Sequence, residues 1–242
     1  MKLMIEHIPE HDEVTRLYTF DELDEDIRNR LVRECAERHY NDWDGEYRDT
    51  LKALERLFGM KCVDWHVDGW TYGYNLYAEY DDYCHFRLED AAEKDTDEQE
   101  EFGYLHLTGN RAMGKCWTLY GSDVVRGEYY HKRGVSRHSK VLFGGLHDGT
   151  CPLTGYCADN DALDPLWDMM EGKHAKNDTT IAGMIDQCFD SFFTAWQKDI
   201  EYTQTEDYFR ENEMVDWYDA DGNEVDVPED ATLADPPQTE VA

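Results

Sequence analysis

The segment from Asp178 to Ile200 carries a broad amphipathic pattern. Its apolar residues recur at three- and four-residue steps, the spacing that lines one face of an α-helix. The members of this stripe are Ile181, Ile185, Cys188, Phe189, Phe192, Trp196 and Ile200. Asp178 has the chemistry of a helix N-cap, because its carboxylate can accept a hydrogen bond from a free backbone N–H. The segment therefore predicts a long helix that buries an aromatic face.

Three more helices are predicted at the two ends of the chain. Thr19 and Glu22 have the spacing of a capping box, and apolar residues then recur at helical steps to about residue 40. A second helix is predicted from Asp44 to Phe58, with Gly59 as its stop signal. A short helix is expected from about Thr205 to Glu213.

The middle of the chain changes to a two-residue period. In the segment 61–68, Val63, Trp65 and Val67 alternate with polar residues, which is typical of a strand with one buried face. Further strands are expected at 74–80, 83–88, 104–107, 116–120 and 141–143. A hairpin is predicted near the C-terminus, where 214–218 and 224–227 flank Asp221-Gly222, a favoured turn pair.

Helices and strands that do not alternate as βαβ units favour the α+β class, here an antiparallel sheet of short strands packed against several amphipathic helices. We expect one α+β domain over residues 1–227. It comprises a helical part (1–59), a strand-rich middle (60–160) and C-terminal helices with a hairpin (178–227). The acidic segment 228–242 is expected to be a flexible tail.

The charge of the chain limits its partners. The 242 residues include 55 Asp and Glu against 23 Lys and Arg, a formal net charge of −32, while aromatic residues make up 13% and argue against global disorder. Such a chain is repelled by nucleic acids and anionic membranes and attracted to basic surfaces. Neither a membrane span nor a signal-peptide pattern is evident in the sequence, so a soluble protein of the cytoplasm is expected.

The acids are unevenly distributed. Residues 89–101 hold eight acids and one Lys, and the final 27 residues hold nine acids and no base. Residues 126–140 reverse the sign, with Arg126, Lys132, Arg133, Arg137 and Lys140 against Glu128 alone. This basic island would suit phosphate contacts, but in so acidic a chain we expect it to pair with the protein's own acids or with a second copy in a homodimer.

Motifs of catalysis and cofactor binding are missing from the sequence. It contains no phosphate-binding glycine loop, GxSxG or HExxH pattern. Cys35/His39 and Cys62/His66 invite a zinc hypothesis, and the first pair would share a helix face, but the chain has no CxxC pair. The seven cysteines are expected to stay reduced. We therefore expect no catalytic residue, no metal and no cofactor.

Two segments resemble a known group of proteins. Tyr18-Thr-Phe-Asp-Glu-Leu23, followed by an acidic helix, and the closing unit from Asp207 to Glu224, a short helix leading into an Asp-Gly hairpin, are similar to uncharacterised small acidic proteins of bacteriophages and prophages. The resemblance covers about the first 40 and the last 50 residues. It implies a phage context and transfers no catalytic motif.

These observations predict a phage-encoded binding protein that inhibits a host nucleic-acid-binding defence complex or nuclease. Its acids would occupy the basic cleft of that partner as a DNA mimic does. The residues expected to bind the partner are Glu98, Glu100, Glu101, Asp216, Asp219, Asp221 and Glu224.

Two alternatives remain open. One is an enzyme acting on nucleotides or nucleic acid, with a site in the middle of the chain that uses His131, His138, His147 or Asp148. The other is a halophile-type housekeeping protein, whose acidity serves solubility alone.

Overall fold

The structure, a computed structural model, describes residues 1–8, 11–81, 84–88, 102–124, 151–173, 178–229 and 231–235. They belong to two compact units, one comprising residues 1–41 and 200–242, the other residues 42–199. Each unit contains helices and a small antiparallel sheet, so the predicted α+β class is confirmed. The expected single domain over 1–227 stays a prediction.

The first unit contains a three-stranded antiparallel sheet. Strand β1 (Lys2–Ile8) lies in the centre, between β2 (His11–Leu17) and a C-terminal strand, β6 (Thr232–Ala234). Met4 and Leu17 are buried on this sheet.

This sheet corrects two expectations. The segment 1–59 was expected to be helical, but Lys2–Ile8 and His11–Leu17 are strands. The segment 228–242 was expected to be a flexible tail, but residues 232–234 are paired with β1. The partner of β6 lies more than 200 residues away in the sequence, so local composition carries no signal for that pairing.

The first predicted helix begins later than the capping box indicates. The box encloses a 3₁₀ turn, Phe20–Glu22, where a carboxylate oxygen of Glu22 lies 3.1 Å from the backbone N–H of Thr19. Helix α1 then spans Glu25–His39. Its apolar face contributes to a core whose buried members are Phe20, Leu23, Cys35, Tyr208, Phe209 and Tyr218.

The C-terminal turn forms where it was predicted, with less strand structure around it. Asp221 and Gly222 reverse the chain, but Tyr218 and Glu224 form a single antiparallel bridge rather than part of two strands. Tyr218 also bridges Tyr18 through two backbone hydrogen bonds. These hydrogen bonds hold the C-terminal turn against the segment that follows β2.

The second unit opens with α2 (Asp44–Phe58), which ends at Gly59 with a φ of +63°, a value that glycine adopts without strain. A second antiparallel sheet follows, with strands β3 (Met60–Val67), β4 (Tyr72–Asp81) and β5 (Cys84–Arg87) in that order. The helix and the three strands confirm the predictions for this part of the chain.

Two predicted strands of the second unit are wrong. Residues 104–107 form turns, and residues 116–119 belong to α3 (Gly109–Leu119). A short helix, α4 (Gly121–Val124), follows. Ala112 and Cys116 are fully buried and four residues apart, a helical spacing that outweighed the β-prone residues at 116–120. The expected strand 141–143 lies outside the described residues.

Like α3 and α4, the next helix was not predicted. Helix α5 (Ala158–Met170) contains Pro165, and four aspartates interrupt its apolar pattern. Its buried face is nevertheless continuous; the fully buried members are Ala162, Leu163, Leu166 and Trp167.

The long predicted helix is confirmed as α6 (Ile181–Thr203). Phe189, Phe192, Phe193 and Trp196 are buried on its inner side, each worth about 2–3 kcal/mol when removed from water. Aromatic rings of the second sheet cover this side: Trp65 lies 5.3 Å from Trp196 between ring centroids. This packing fixes which side of α6 faces solvent.

Candidate functional site

Helix α6 carries three exposed aspartates, Asp186, Asp190 and Asp199. We call them the aspartate row. Asp186 and Asp190 are four residues apart, so they lie on one side of the helix with an axial separation of about 6 Å. Asp199 is about 20 Å along the axis from Asp186 and about half a turn around the helix from Asp190, so it lies on the other side of the buried stripe.

Each aspartate of the row accepts a hydrogen bond from a tyrosine hydroxyl of another element. Tyr72 Oη donates to Asp190 Oδ1 at 2.7 Å, and Tyr74 Oη lies 3.2 Å from both Oδ1 and the backbone carbonyl oxygen of Asp186. Tyr47 Oη donates to Asp199 Oδ2 at 2.5 Å. Tyr72 and Tyr74 are two residues apart on β4, so their side chains leave the same face of the sheet.

The tyrosine rings are themselves held by aromatic packing. The ring of Tyr74 stacks on Phe193 with centroids 5.0 Å apart, and Tyr47 stacks on Trp196 at 5.1 Å. A hydroxyl on a ring packed in this way has little freedom. The three bonds therefore restrict the rotamers of carboxylates that would otherwise move freely at the surface.

The environment keeps these hydroxyls protonated. Burial raises the pKa of Tyr47, and the hydrogen bond to Asp199 raises it further. Burial also raises the pKa of Tyr74, followed by the negative charge of Asp186. Each tyrosine is thus a neutral hydrogen-bond donor at physiological pH.

Helix α5 adds two more acids beside the row. Asp161 and Asp164 are exposed on α5 and line a cleft of about 310 Å³ that also includes Asp199. We call it the acidic cleft; its remaining lining residues are Ser191, Thr194, Ala195 and Lys198. Burial raises the pKa of Asp161, and the like charges of Asp164 and Asp199 add to the rise while Lys198 opposes it. A cation entering the cleft would relieve this repulsion.

A third aspartate of α5 has a structural role. Asp159 is fully buried, and its Oδ2 accepts backbone N–H groups of Leu153 and Thr154 at 2.9 and 2.7 Å. Its Oδ1 accepts the hydroxyl of Thr154 at 2.7 Å and lies 3.3 Å from that of Thr50. A buried carboxylate with this many donors organises the loop before α5 and is unavailable to a partner.

Of the acids predicted from the sequence, Glu98, Glu100 and Glu101 lie outside the described residues. Asp216, Asp221 and Glu224 are exposed near the C-terminal turn.

Asp219 shapes that same turn. Its side chain accepts backbone N–H groups of Asp221 and Asn223 at 2.9 and 2.8 Å. Burial alone would raise the pKa of Asp219, but these bonds and one from the Asn223 amide hold it below its ordinary value.

The sequence analysis missed Asp161, Asp164 and the whole aspartate row. Part of the signal was present: Asp186 and Asp190 have helical spacing on the side of α6 opposite the apolar stripe. The sequence prediction used the local density of acids, which selects acidic runs and does not detect acids held in place by a core. The basic island 126–140 and the alternative residues His131, His138, His147 and Asp148 lie outside the described residues.

One of the two Cys/His pairs gains a partner. Cys35 and His39 lie beside Glu213, and the three donor atoms are within 4.8 Å of one another. The pair Cys62/His66 joins no such group among the described residues. Burial raises the pKa of Cys62 to about 12, which favours an uncharged thiol.

Comparisons with protein-family models, with curated proteins and with solved structures find no match to this chain. Over the described ranges, every helix is too short or too polar to span a membrane.

Proposed function

We propose that this chain is an acidic binding protein that occupies the basic cleft of a nucleic-acid-binding protein, with Asp186 and Asp190 on one side of α6, and Asp199 with the acidic cleft on the other, as its contact surfaces. The observation that carries the proposal is the fixing of Asp186, Asp190 and Asp199 by tyrosine hydroxyls. Surface carboxylates kept only for solubility do not need such support. Fixed acceptors lose less side-chain entropy when Lys and Arg side chains bind them.

The composition supports the same function. A net charge of −32 attracts basic surfaces over long distances and accelerates encounter with them. Lys and Arg residues that bind phosphates form charge-assisted hydrogen bonds with carboxylates equally well, and Arg binds them in a bidentate manner. A cleft that binds DNA is therefore a chemically suitable partner.

The density of charge limits how closely the surface copies DNA. Duplex DNA carries one negative charge per about 1.7 Å of its axis. Over the roughly 20 Å between Asp186 and Asp199 a duplex presents about twelve charges, whereas the row and the two cleft acids of α5 present five. We infer that the surface competes for individual Lys and Arg side chains and does not reproduce a duplex.

The resemblance to small acidic phage proteins supports a host nuclease or defence complex as the partner, met in the cytoplasm of the infected cell. The experiment is a displacement assay. Restriction endonucleases and CRISPR effector complexes are each loaded with fluorescent target DNA, and the purified chain is added while release of the DNA is followed. Polyglutamate of equal charge controls for bulk acidity.

We expect the chain to displace DNA from at least one partner at concentrations at which polyglutamate does not. The effect should weaken as salt rises, because exposed charges are screened beyond about 10 Å at 0.1 M ionic strength. The proposal would be contradicted if the chain displaced DNA from none of these nucleases and effector complexes, or if the displacement did not depend on salt.

A further inference from the structure

Three side chains of the first unit bring different metal ligands to one place. The Sγ of Cys35, an imidazole nitrogen of His39 and a carboxylate oxygen of Glu213 all lie within 4.8 Å of one another. Cys35 is fully buried, and the side chains of His39 and Glu213 are only 25% and 21% exposed. The cluster is thus a partly enclosed site and not a patch of open surface.

The fold explains why the three groups meet. Cys35 and His39 are four residues apart on α1, so they occupy the same side of that helix. Glu213 directly follows α7 (Glu206–Asn212), whose Tyr208 and Phe209 pack in the same core as Cys35. The edge of the His39 ring contacts Tyr208, with centroids 5.5 Å apart. Rigid elements therefore position all three donors.

Arg38 orients the carboxylate from outside the cluster. Its guanidinium contacts Glu213 Oε2 through Nη2, while Nε lies 3.3 Å from Oε1. Glu213 Oε1 is also 2.5 Å from His39 Nε2. Metal-binding carboxylates in proteins are usually hydrogen-bonded in this way by a neighbouring group.

We propose that Cys35, His39 and Glu213 bind Zn²⁺. One sulfur, one imidazole nitrogen and one carboxylate oxygen form a donor set that suits zinc and does not suit Mg²⁺ or Ca²⁺, which prefer oxygen alone. Ligand atoms about 2.0–2.3 Å from a tetrahedral zinc ion lie about 3.5 Å apart. The three donors reach that geometry by small side-chain rotations, in which the His39–Glu213 contact opens.

Binding has a defined proton balance. The Cys35 thiol loses its proton to solvent as the S–Zn bond forms, so one proton is released per ion if His39 is neutral beforehand. Thiolate and carboxylate then neutralise the charge of Zn²⁺. Within the part of the chain that the structure describes, no fourth Cys, His, Asp or Glu joins the group. With these three ligands alone, a tetrahedral ion would take its fourth ligand from water or from an external group.

The proposal is independent of the acidic binding function, and its test uses the full chain. Metal-free protein is titrated with Zn²⁺ by calorimetry and with Co²⁺ by absorption spectroscopy. We expect one ion per chain, a thiolate-to-cobalt charge-transfer band, and a higher melting temperature with Zn²⁺. Mg²⁺ should produce neither the one-to-one uptake at this site nor the charge-transfer band.

Three variants locate the site. Glu213→Gln and His39→Gln each remove one ligand from a partly exposed position, and we expect each to weaken Zn²⁺ binding at least tenfold. Cys35→Ser should abolish the charge-transfer band, but it alters a buried position, so circular dichroism must first show that it folds. Cys62→Ser with His66→Gln is the matched control, because that pair has the same spacing on a strand, and it should leave the titration unchanged.

Two kinds of result would overturn the zinc proposal. Absence of Zn²⁺ uptake by the folded wild-type chain would overturn the proposal and leave Arg38, His39 and Glu213 as an ion-pair network only. Uptake that survives both Glu213→Gln and His39→Gln, or is lost in the Cys62/His66 control, would also overturn it by assigning the metal to other residues.

Discussion

The hydroxyl of Tyr72 on β4 donates a 2.7 Å hydrogen bond to Oδ1 of Asp190 on α6, across 118 residues of sequence. The same hydroxyl lies 3.0 Å from the hydroxyl of Thr194, one turn further along the helix. The ring of Tyr72 stacks on Phe193, with centroids 6.0 Å apart. One side chain thus joins the hydrophobic contact between sheet and helix to the position of an exposed carboxylate.

Replacing Tyr72 by Phe should separate these two roles. The ring and its stacking remain, so the free energy of unfolding should fall by only about 1 kcal/mol, the usual net value of one hydrogen bond. Asp190 loses its donor and should sample more rotamers, which the order parameter of its side chain would report by NMR. A fall above about 3 kcal/mol would mean that the hydroxyl supports the core rather than the carboxylate.

A double-mutant cycle with Asp190→Ala tests whether the two residues interact directly. We expect Tyr72→Phe to cost less in the Asp190→Ala background than in the wild type, with a coupling of about 0.5–1 kcal/mol. Asp186→Ala offers the comparison, since Asp186 bonds to Tyr74. Equal coupling of Tyr72 to both aspartates would contradict the pairwise assignment.

Stability should fall at alkaline pH. Burial raises the pKa of Tyr47, Tyr74 and Tyr120 above the ordinary value of 10.0. Below that value, folded and unfolded chains bind the same tyrosine protons and the stabilisation is complete. Above it, the unfolded chain loses protons that the folded chain keeps, so stability declines by up to about 1.4 kcal/mol per pH unit for each tyrosine.

Urea unfolding from about pH 9 to about pH 11 measures this decline, with tyrosinate absorbance as a second signal. Tyr47→Phe should reduce the slope, because one group leaves the titration. A free energy of unfolding that stays constant over this range would show that these hydroxyls ionise as readily in the folded chain as in the unfolded one.

Replacing two aspartates on one turn of α5 by alanine should change the free energy of unfolding by very different amounts. Asp159→Ala leaves the partly buried N–H groups of Leu153 and Thr154 without their acceptor, and should cost about 3 kcal/mol. Asp161→Ala removes an exposed acid whose pKa is raised by burial and by like charges, so stability should be unchanged or slightly higher. Chemical denaturation of both variants checks this; similar losses would contradict the distinction between structural and surface acids.

Gly222 should tolerate no side chain. Its φ is +81°, and an added Cβ would lie 2.5 Å from Ile27 Cγ2 on α1. We expect Gly222→Ala to lower the free energy of unfolding by more than about 2 kcal/mol, since conformational strain and a clash add. Gly155 is the matched control, with a φ of +94° and open space around the added atom, and should cost only about 1 kcal/mol. Equal losses of stability in Gly222→Ala and Gly155→Ala would indicate that Ile27 moves away and relieves the clash.

Local patterns predicted much of the fold. Helices α1, α2, α6 and α7 and strands β3 to β5 follow from periodicity and stop signals within each segment. Helix α5 was missed because its aspartates and Pro165 interrupt the apolar pattern in the sequence. Leu163, Leu166 and Trp167 are nevertheless buried on one face of the helix. Strands β1, β2 and β6 were missed because their pairing is set by contacts far apart in the chain.

The candidate site was less accessible from sequence for a related reason. Nothing near Asp190 shows that Tyr72 will reach it, and nothing near Asp199 points to Tyr47, which is 152 residues away. A count of acids finds the runs at 89–101 and at the C-terminus, but does not distinguish a solvated carboxylate from one held in place. Cys35 and His39 could be paired by their helical spacing, whereas Glu213 required the tertiary fold.

The most direct measurement of the central claim compares two triple variants in binding to the protein that the chain displaces from DNA. Asp186→Asn/Asp190→Asn/Asp199→Asn removes the charge of the row and keeps an acceptor for each tyrosine. Asp26→Asn/Glu37→Gln/Asp226→Asn removes the same charge from exposed positions elsewhere. At about 0.2–1 kcal/mol per exposed charge pair, the first variant should bind about 3- to 140-fold more weakly, and the second within about twofold of wild type. Equal weakening of both would show that the chain acts through its overall charge, and would contradict a site built on the aspartate row.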